Sequence, residues 1–161
     1  MDNSEDLSTQ YKRTKLLVKF NKLCQEMNES PDFRLHVSKL YRQSYNPNTT
    51  TKNIFQKYFQ EHLSANDAQI LTEMIKAHLR KSSVRKTINK EVRTKLLKQQ
   101  NYRCAICNCQ IDESVAHLDH IIPWSLVGDE LENNYQMLCT NCNLEKGNNV
   151  RYELLRQMKL L

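Results

Sequence analysis

Glycine is nearly absent: two residues in 161, Gly128 and Gly147, against a usual share of about 7%. That scarcity excludes Gly-rich phosphate loops, open β-barrels and flexible linkers, and it favours a largely helical chain. Long apolar runs are missing too. The longest, Cys104 to Cys107, has four residues, so no transmembrane helix is expected. The opening MDNSEDLSTQ has neither a basic n-region nor an apolar h-region and does not read as a secretory signal. A cytoplasmic location is the expectation. At this length the chain is one domain, or a small domain with an added arm, and it is long enough to bury a core without disulfides.

The residues that are present divide the chain. Five of the six cysteines lie between positions 104 and 142. Residues 1–100 carry 19 Lys+Arg and 10 Asp+Glu, a net of +9; residues 101–161 carry 5 and 8, a net of −3. The overall +6 is thus a basic arm joined to an acidic, Cys-rich module, with the boundary expected at residues 1–98 and 99–161.

The arm reads as helical. Leu16, Phe20, Leu23 and Met27 recur at 4-3-4 spacing. Ser30-Pro31 is a helix start, followed by the stripe Phe33, Val37, Leu40 and Tyr41. Tyr45 to Thr51 reads as a loop, and Ile54, Phe55, Tyr58, Phe59 and His62 mark a third helix. Ser64 and Asp67 resemble a capping box ahead of Leu71, Met74, Ile75, His78 and Leu79, and a last stripe is Ile88, Val92 and Leu96. These stripes read as helix–helix core, with Cys24 a buried small hydrophobe and His36, His62 and His78 partly buried structural histidines. From Lys76 to Lys98 there are nine Lys or Arg against Glu91 alone. A salt-bridged helix face would interleave acids; this imbalance fits a polyanion partner bound in a salt-dependent way.

Cys104-Ala-Ile-Cys107 and Cys139-Thr-Asn-Cys142 are two C-x-x-C pairs. Each pair places two thiolates on one knuckle, and together they complete a tetrahedral shell suited to Zn²⁺. A disulfide framework does not suit a net-basic chain expected in a reducing compartment, and a redox motif needs only one such pair. Four protein ligands leave no open position, so this zinc is structural. Cys109 lies two residues past Cys107 and could swap into the shell, but the two-residue spacing favours Cys104 with Cys107. Between the pairs, Val115 to Ile122 reads as a short strand ending at Pro123. A closed zinc shell has no need of Asp119 or His120. A carboxylate binds a hard cation such as Mg²⁺, and an imidazole of near-neutral pKa takes a proton from water.

The order C-x-x-C, Asp-His-Ile-Ile-Pro, Asn-Tyr-Gln-Met-Leu-Cys, C-x-x-C-Asn-x-x-Lys-Gly resembles the HNH endonucleases with a ββα-metal fold, over roughly residues 99–149. The resemblance implies an α+β, mostly helical chain: an all-α arm, then a small ββα-metal module with a four-cysteine zinc site and a C-terminal helix. It implies His120 as general base, Asp119 and Asn143 as ligands of a catalytic Mg²⁺ or Mn²⁺, and Asn134, rather than Asn133, as the brace of the loop between strands and helix. The third motif position is often His; here it is Asn143, which keeps an oxygen donor for a hard cation. Gly147 ends the helix carrying Asn143. Lys146 reads either as a phosphate contact or as a cation at a helix C-terminus, His117 as solvent-facing or an accessory contact, and Trp124 as loop packing or base stacking.

The function expected is metal-dependent hydrolysis of DNA phosphodiesters, of restriction or phage-defence type, with double-stranded DNA as partner. The alternatives are a non-catalytic zinc-dependent nucleic-acid-binding protein, or the nuclease subunit of a multi-protein complex. A homodimer is compatible with a restriction role and a partner protein is not excluded; no membrane partner is expected.

Overall fold

The fold is taken from a computed structural model that describes residues 7–148. Five helices come first: α1 (Leu7–Glu29), α2 (Pro31–Arg42), α3 (Pro47–Phe59), α4 (Ala65–Arg80) and α5 (Lys90–Gln99). A compact tail follows: β1 (His117–His120), the one-turn α6 (Trp124–Val127), β2 (Tyr135–Leu138) and α7 (Thr140–Lys146). β1 and β2 form an antiparallel pair, and α7 packs back on β1. The chain is therefore mostly helical with a small ββα unit at its end. The expected C-terminal helix, where it extends past residue 148, lies outside the described residues. No helix among the described residues is long and apolar enough to cross a membrane.

Local chemistry sets the helix starts. The Ser30 hydroxyl accepts from the Phe33 N–H, with Pro31 at the first helical position. At α4 the Ser64 hydroxyl accepts from the Asp67 N–H and donates to the Asp67 carboxylate, the reciprocal arrangement of a capping box. The expected loop over Tyr45 to Thr51 is corrected at Pro47. Asn46 caps α3 through Asn48 and Thr49, and Pro47 supplies its first turn. The same Asn-Pro pair that signals a turn also opens a helix. At its other end α3 stops at Phe59, leaving His62 beyond it, exposed. Likewise α5 begins after Ile88, and its buried residue is Leu97. The strand is shorter than Val115 to Ile122, because only four residues find ladder partners.

The apolar stripes of α1, α2, α3 and α4 form one buried cluster, with Phe20, Leu23, Cys24, Phe55, Met74 and Ile75 among its members. Burial pushes the Cys24 thiol up to about 12, so it is an inert core group. Ile122, Leu126, Val127 and Leu131, from the stretch between β1 and β2, join this cluster. A second cluster holds Leu97, Ile111, Ala116, Met137 and Leu138 around the cysteines. The segment between the strands is thus clamped against α4 while β2 sits on α5.

Asparagine takes over work that glycine does elsewhere. Asn101, Asn108 and Asn133 all have positive φ, a region asparagine enters at lower cost than most residues. Gly147 keeps one such position, ending α7 at φ 48° with its N–H on the Asn143 carbonyl.

Candidate active site and metal centre

The four cysteines converge from two segments. Cys104 and Cys107 lie in the loop after α5. This loop is closed by the Cys104 N–H to Cys109 carbonyl bond and the Asn108 N–H to Cys104 carbonyl bond. The Ala105 N–H to Met137 carbonyl bond stitches it to β2. Cys139 caps α7, its sulfur accepting from the Cys142 N–H. All four sulfurs lie within 4.8 Å of one another. The Cys107 and Cys139 sulfurs are 3.8 Å apart, and a tetrahedron with Zn–S bonds of about 2.3 Å has edges of about 3.8 Å. The donors and their spacing fit a closed Zn²⁺ shell.

Backbone donors favour the thiolate at three of the four cysteines, while burial first and its sulfur neighbours second push the Cys142 thiol up. The Cys109 N–H holds the Cys107 thiol below its ordinary value, and the Cys142 N–H does the same for Cys139. At Cys104 burial opposes ionisation, but the N–H groups of Cys139, Cys107 and Ile106 outweigh it. Cys109 is exposed and outside the group of four; its hydrogen bond to Cys107 is the main cause pushing its thiol up to about 12.

The second centre lies on the β1–β2 ladder, whose register pairs Asp119 with Gln136 and His120 with Tyr135. Successive side chains leave a strand on opposite faces, so the two neighbours meet different partners. The Asp119 carboxylate accepts from Gln136 Nε2 at 2.8 Å and from Lys146 Nζ at 3.0 and 3.2 Å. Lys146 also donates to the His120 carbonyl at 2.8 Å. Its side chain is only 1% exposed, and a lysine is that deeply buried only when paired. Lys146 sits in the last turn of α7, as the helix-terminus reading expects. Its ammonium is committed to Asp119 and His120, which removes the phosphate-contact reading.

Asn143, three residues before Lys146, shares its helix face. It is half-buried, and its side chain makes no hydrogen bond among the described residues. Asn134 is buried. It grips Ile122 at both ends, accepting from its N–H at 2.8 Å and donating to its carbonyl at 2.9 Å. Asn133 is exposed. His117 is exposed and reaches Thr140.

His120 packs its ring against Tyr135, with centroids 4.8 Å apart. Its Nε2 is 2.9 Å from Asp129 Oδ1. Asp129 collects three further donors: the Tyr135 hydroxyl at 2.9 Å, Trp124 Nε1–H at 2.8 Å and the Lys86 N–H at 2.9 Å. Burial raises its pKa, but these four donors outweigh burial and hold the carboxyl well below the usual carboxylate range. Trp124 packs the loop in this way, and Arg85 and Lys81 lie over its ring at 5.0 and 5.8 Å. Lys81 donates to the Ser125 carbonyl.

Residues 104–159 match the model of the HNH endonuclease family. The chain carries an HNH module. No curated protein matches the chain. The HNH module supplies a nuclease-type ββα unit with a four-cysteine metal site, and its acidic surface meets the basic segment: Lys86 pairs with Glu130 and Lys90 with Glu113. A count restricted to residues 76–98 misses these acids, which come from outside it. Arg80, Arg85, Lys95 and Lys98 make no ion pair among the described residues. Asp129 and Gln136 escaped the sequence reading. Asp129 sits in an ordinary loop segment, Gly128-Asp129-Glu130, and Gln136 becomes notable only once the strand register sets it opposite Asp119.

Proposed function

We propose that this protein is a metal-dependent DNA endonuclease of restriction or phage-defence type. The observation that supports it most is the pairing on β1: a carboxylate braced by Lys146 beside an imidazole braced by Asp129, in a module of the HNH family. Asp119 and Asn143 would hold Mg²⁺ or Mn²⁺. Their oxygens suit a hard cation, a carboxylate has about four lone-pair sites, and the Asn143 amide is uncommitted among the described residues. When bound, such an ion stabilises charge on the phosphate and on the leaving oxygen. His120 takes the proton of the attacking water. Lys146 fixes the Asp119 carboxylate against the His120 carbonyl, and Asn134 holds the backbone that follows His120. Residues 1–98, through the basic segment that lays Arg85 and Lys81 over Trp124, grip the duplex by its phosphates, and residues 99–161 cut.

The test is cleavage of supercoiled plasmid with Mg²⁺ or Mn²⁺. Wild type is expected to nick or linearise the DNA. His120→Ala is expected to be slower by about 10²–10⁴ with its zinc content unchanged. Wild type that does no more than the His120→Ala control on several DNA substrates overturns the reading and leaves a zinc-dependent binding protein.

A further inference from the structure

We propose that Asp129 is a positioning residue that sets the tautomer of His120, placing the ring proton on Nε2 and the basic lone pair on Nδ1. The proposal rests on the reading of His120 as the general base. An ionised carboxylate only accepts, at about four lone-pair sites. Four groups point at Asp129: the Lys86 N–H and Trp124 Nε1–H at Oδ2, His120 Nε2 and the Tyr135 hydroxyl at Oδ1. Facing an acceptor, Nε2 must carry the proton. Nδ1 has no hydrogen bond among the described residues, so in neutral His120 its lone pair is open to a water. The Asp129 side chain is 3% exposed, so solvent does not compete for these bonds.

The same count predicts the effect of Asp129→Asn. The Lys86 N–H and the Trp124 indole can only donate, so the amide oxygen must stay on their side. The amide NH₂ then faces Tyr135 and His120. A tyrosine hydroxyl accepts by rotating. His120 accepts only by moving its proton to Nδ1, which removes the lone pair that would take the proton from water. Shape and volume hardly change, so the effect is on proton placement.

The Lys86 N–H adds a second consequence. It belongs to the basic segment joining α4 to α5, and Arg85 and Lys81 cover Trp124 beside it. The group that orients His120 is therefore completed by the backbone of the segment read as the DNA grip.

The experiment is ¹⁵N NMR of the His120 ring in the full-length, zinc-loaded protein, at a pH where the imidazole is neutral, with plasmid cleavage run on the same samples. Wild type is expected to show a protonated Nε2 and an unprotonated Nδ1. Asp129→Asn is expected to show the reverse, with kcat lower by at least about 10²-fold while KM and zinc content hold. A purely structural loss would lower the folded fraction without inverting the ring signals. A wild-type proton on Nδ1 overturns the proposal by itself, even if the variant does not fold. So does a variant that keeps the wild-type tautomer, or one that inverts it and still cuts at the wild-type rate. If wild type cuts no better than His120→Ala, the nuclease reading fails, while the ring signals still decide whether Asp129 sets the tautomer.

Discussion

Asn134 shows how much one side chain carries at this site. Its amide fills both backbone groups of Ile122, a residue that is itself buried, two positions after His120. Asn134→Ala leaves a buried N–H and a buried carbonyl without partners, and each such orphan costs about 1–3 kcal/mol. The expected loss is about 2–6 kcal/mol, read as a lower urea midpoint with an unchanged m-value. Asn134→Asp is expected to lose stability as well, since it sets a carboxylate against the Ile122 carbonyl. A midpoint equal to wild type for the alanine variant would show that Ile122 finds other partners. Asp119, His120, Asn134 and Asn143 are candidates from the sequence because they stand at motif positions. The positioning shell is not legible there. Lys146 reaches Asp119 across 27 residues and Asp129 reaches His120 across nine, and such contacts depend on the path of a loop.

At the scale of elements, caps and apolar spacing made the helices legible, while their ends were decided by tertiary contacts. Asn46-Pro47 is compatible with a turn or a helix start, and the choice fell to the helix because Ile54 and Phe55 bury against α4. The spacing of the two C-x-x-C pairs was the clearest signal, because tetrahedral coordination constrains it regardless of the surrounding fold. The second core cluster is built from short pieces around those sulfurs, with only four residues in each strand. Two short strands are marginal without added support. Structural zinc contributes on the order of 10 kcal/mol of folding free energy. Removing it with a chelator, or substituting Cys139→Ser, is therefore expected to abolish amide-exchange protection at Met137 and Leu138. Residues in the core of α4, such as Leu71 and Met74, should keep more of theirs. Unchanged protection at Met137 and Leu138 after metal removal would show that the small core holds without an ion.

Over the whole molecule, the change from basic to acidic composition was visible in the charge count, whereas the core that α1–α4 share with the loop between the strands was not, because periodicity does not say what a stripe packs against. His78 marks the join. It lies in α4, fully buried. Its Nδ1–H donates to the Leu126 carbonyl at 2.5 Å, and Nε2 has no partner among the described residues. Sequence reading expected partial burial for three arm histidines; His36 and His62 are exposed, because only His78 meets the loop between the strands. Burial, partly offset by the Leu126 hydrogen bond and reinforced by the nearby charges of Arg34 and Lys81, pushes its pKa down to about 4. The unfolded chain, with an ordinary histidine value near 6.5, then binds the proton first. Stability is expected to be full above about pH 6.5 and to fall as the pH drops toward 4, by on the order of 3 kcal/mol at the end of that window. Asp129 acts lower on the scale: its depressed carboxyl stabilises the fold above the ordinary carboxylate range, near 3.9, and that contribution is lost only as the pH falls further. Urea titrations at pH 7, 6, 5 and 4.5 separate the two. His78→Asn keeps a donor for the Leu126 carbonyl but does not titrate, so its stability should run flatter than wild type between pH 6.5 and 4.5. Parallel curves for the two proteins would show that the join between arm and module opens to solvent enough to protonate His78 without cost.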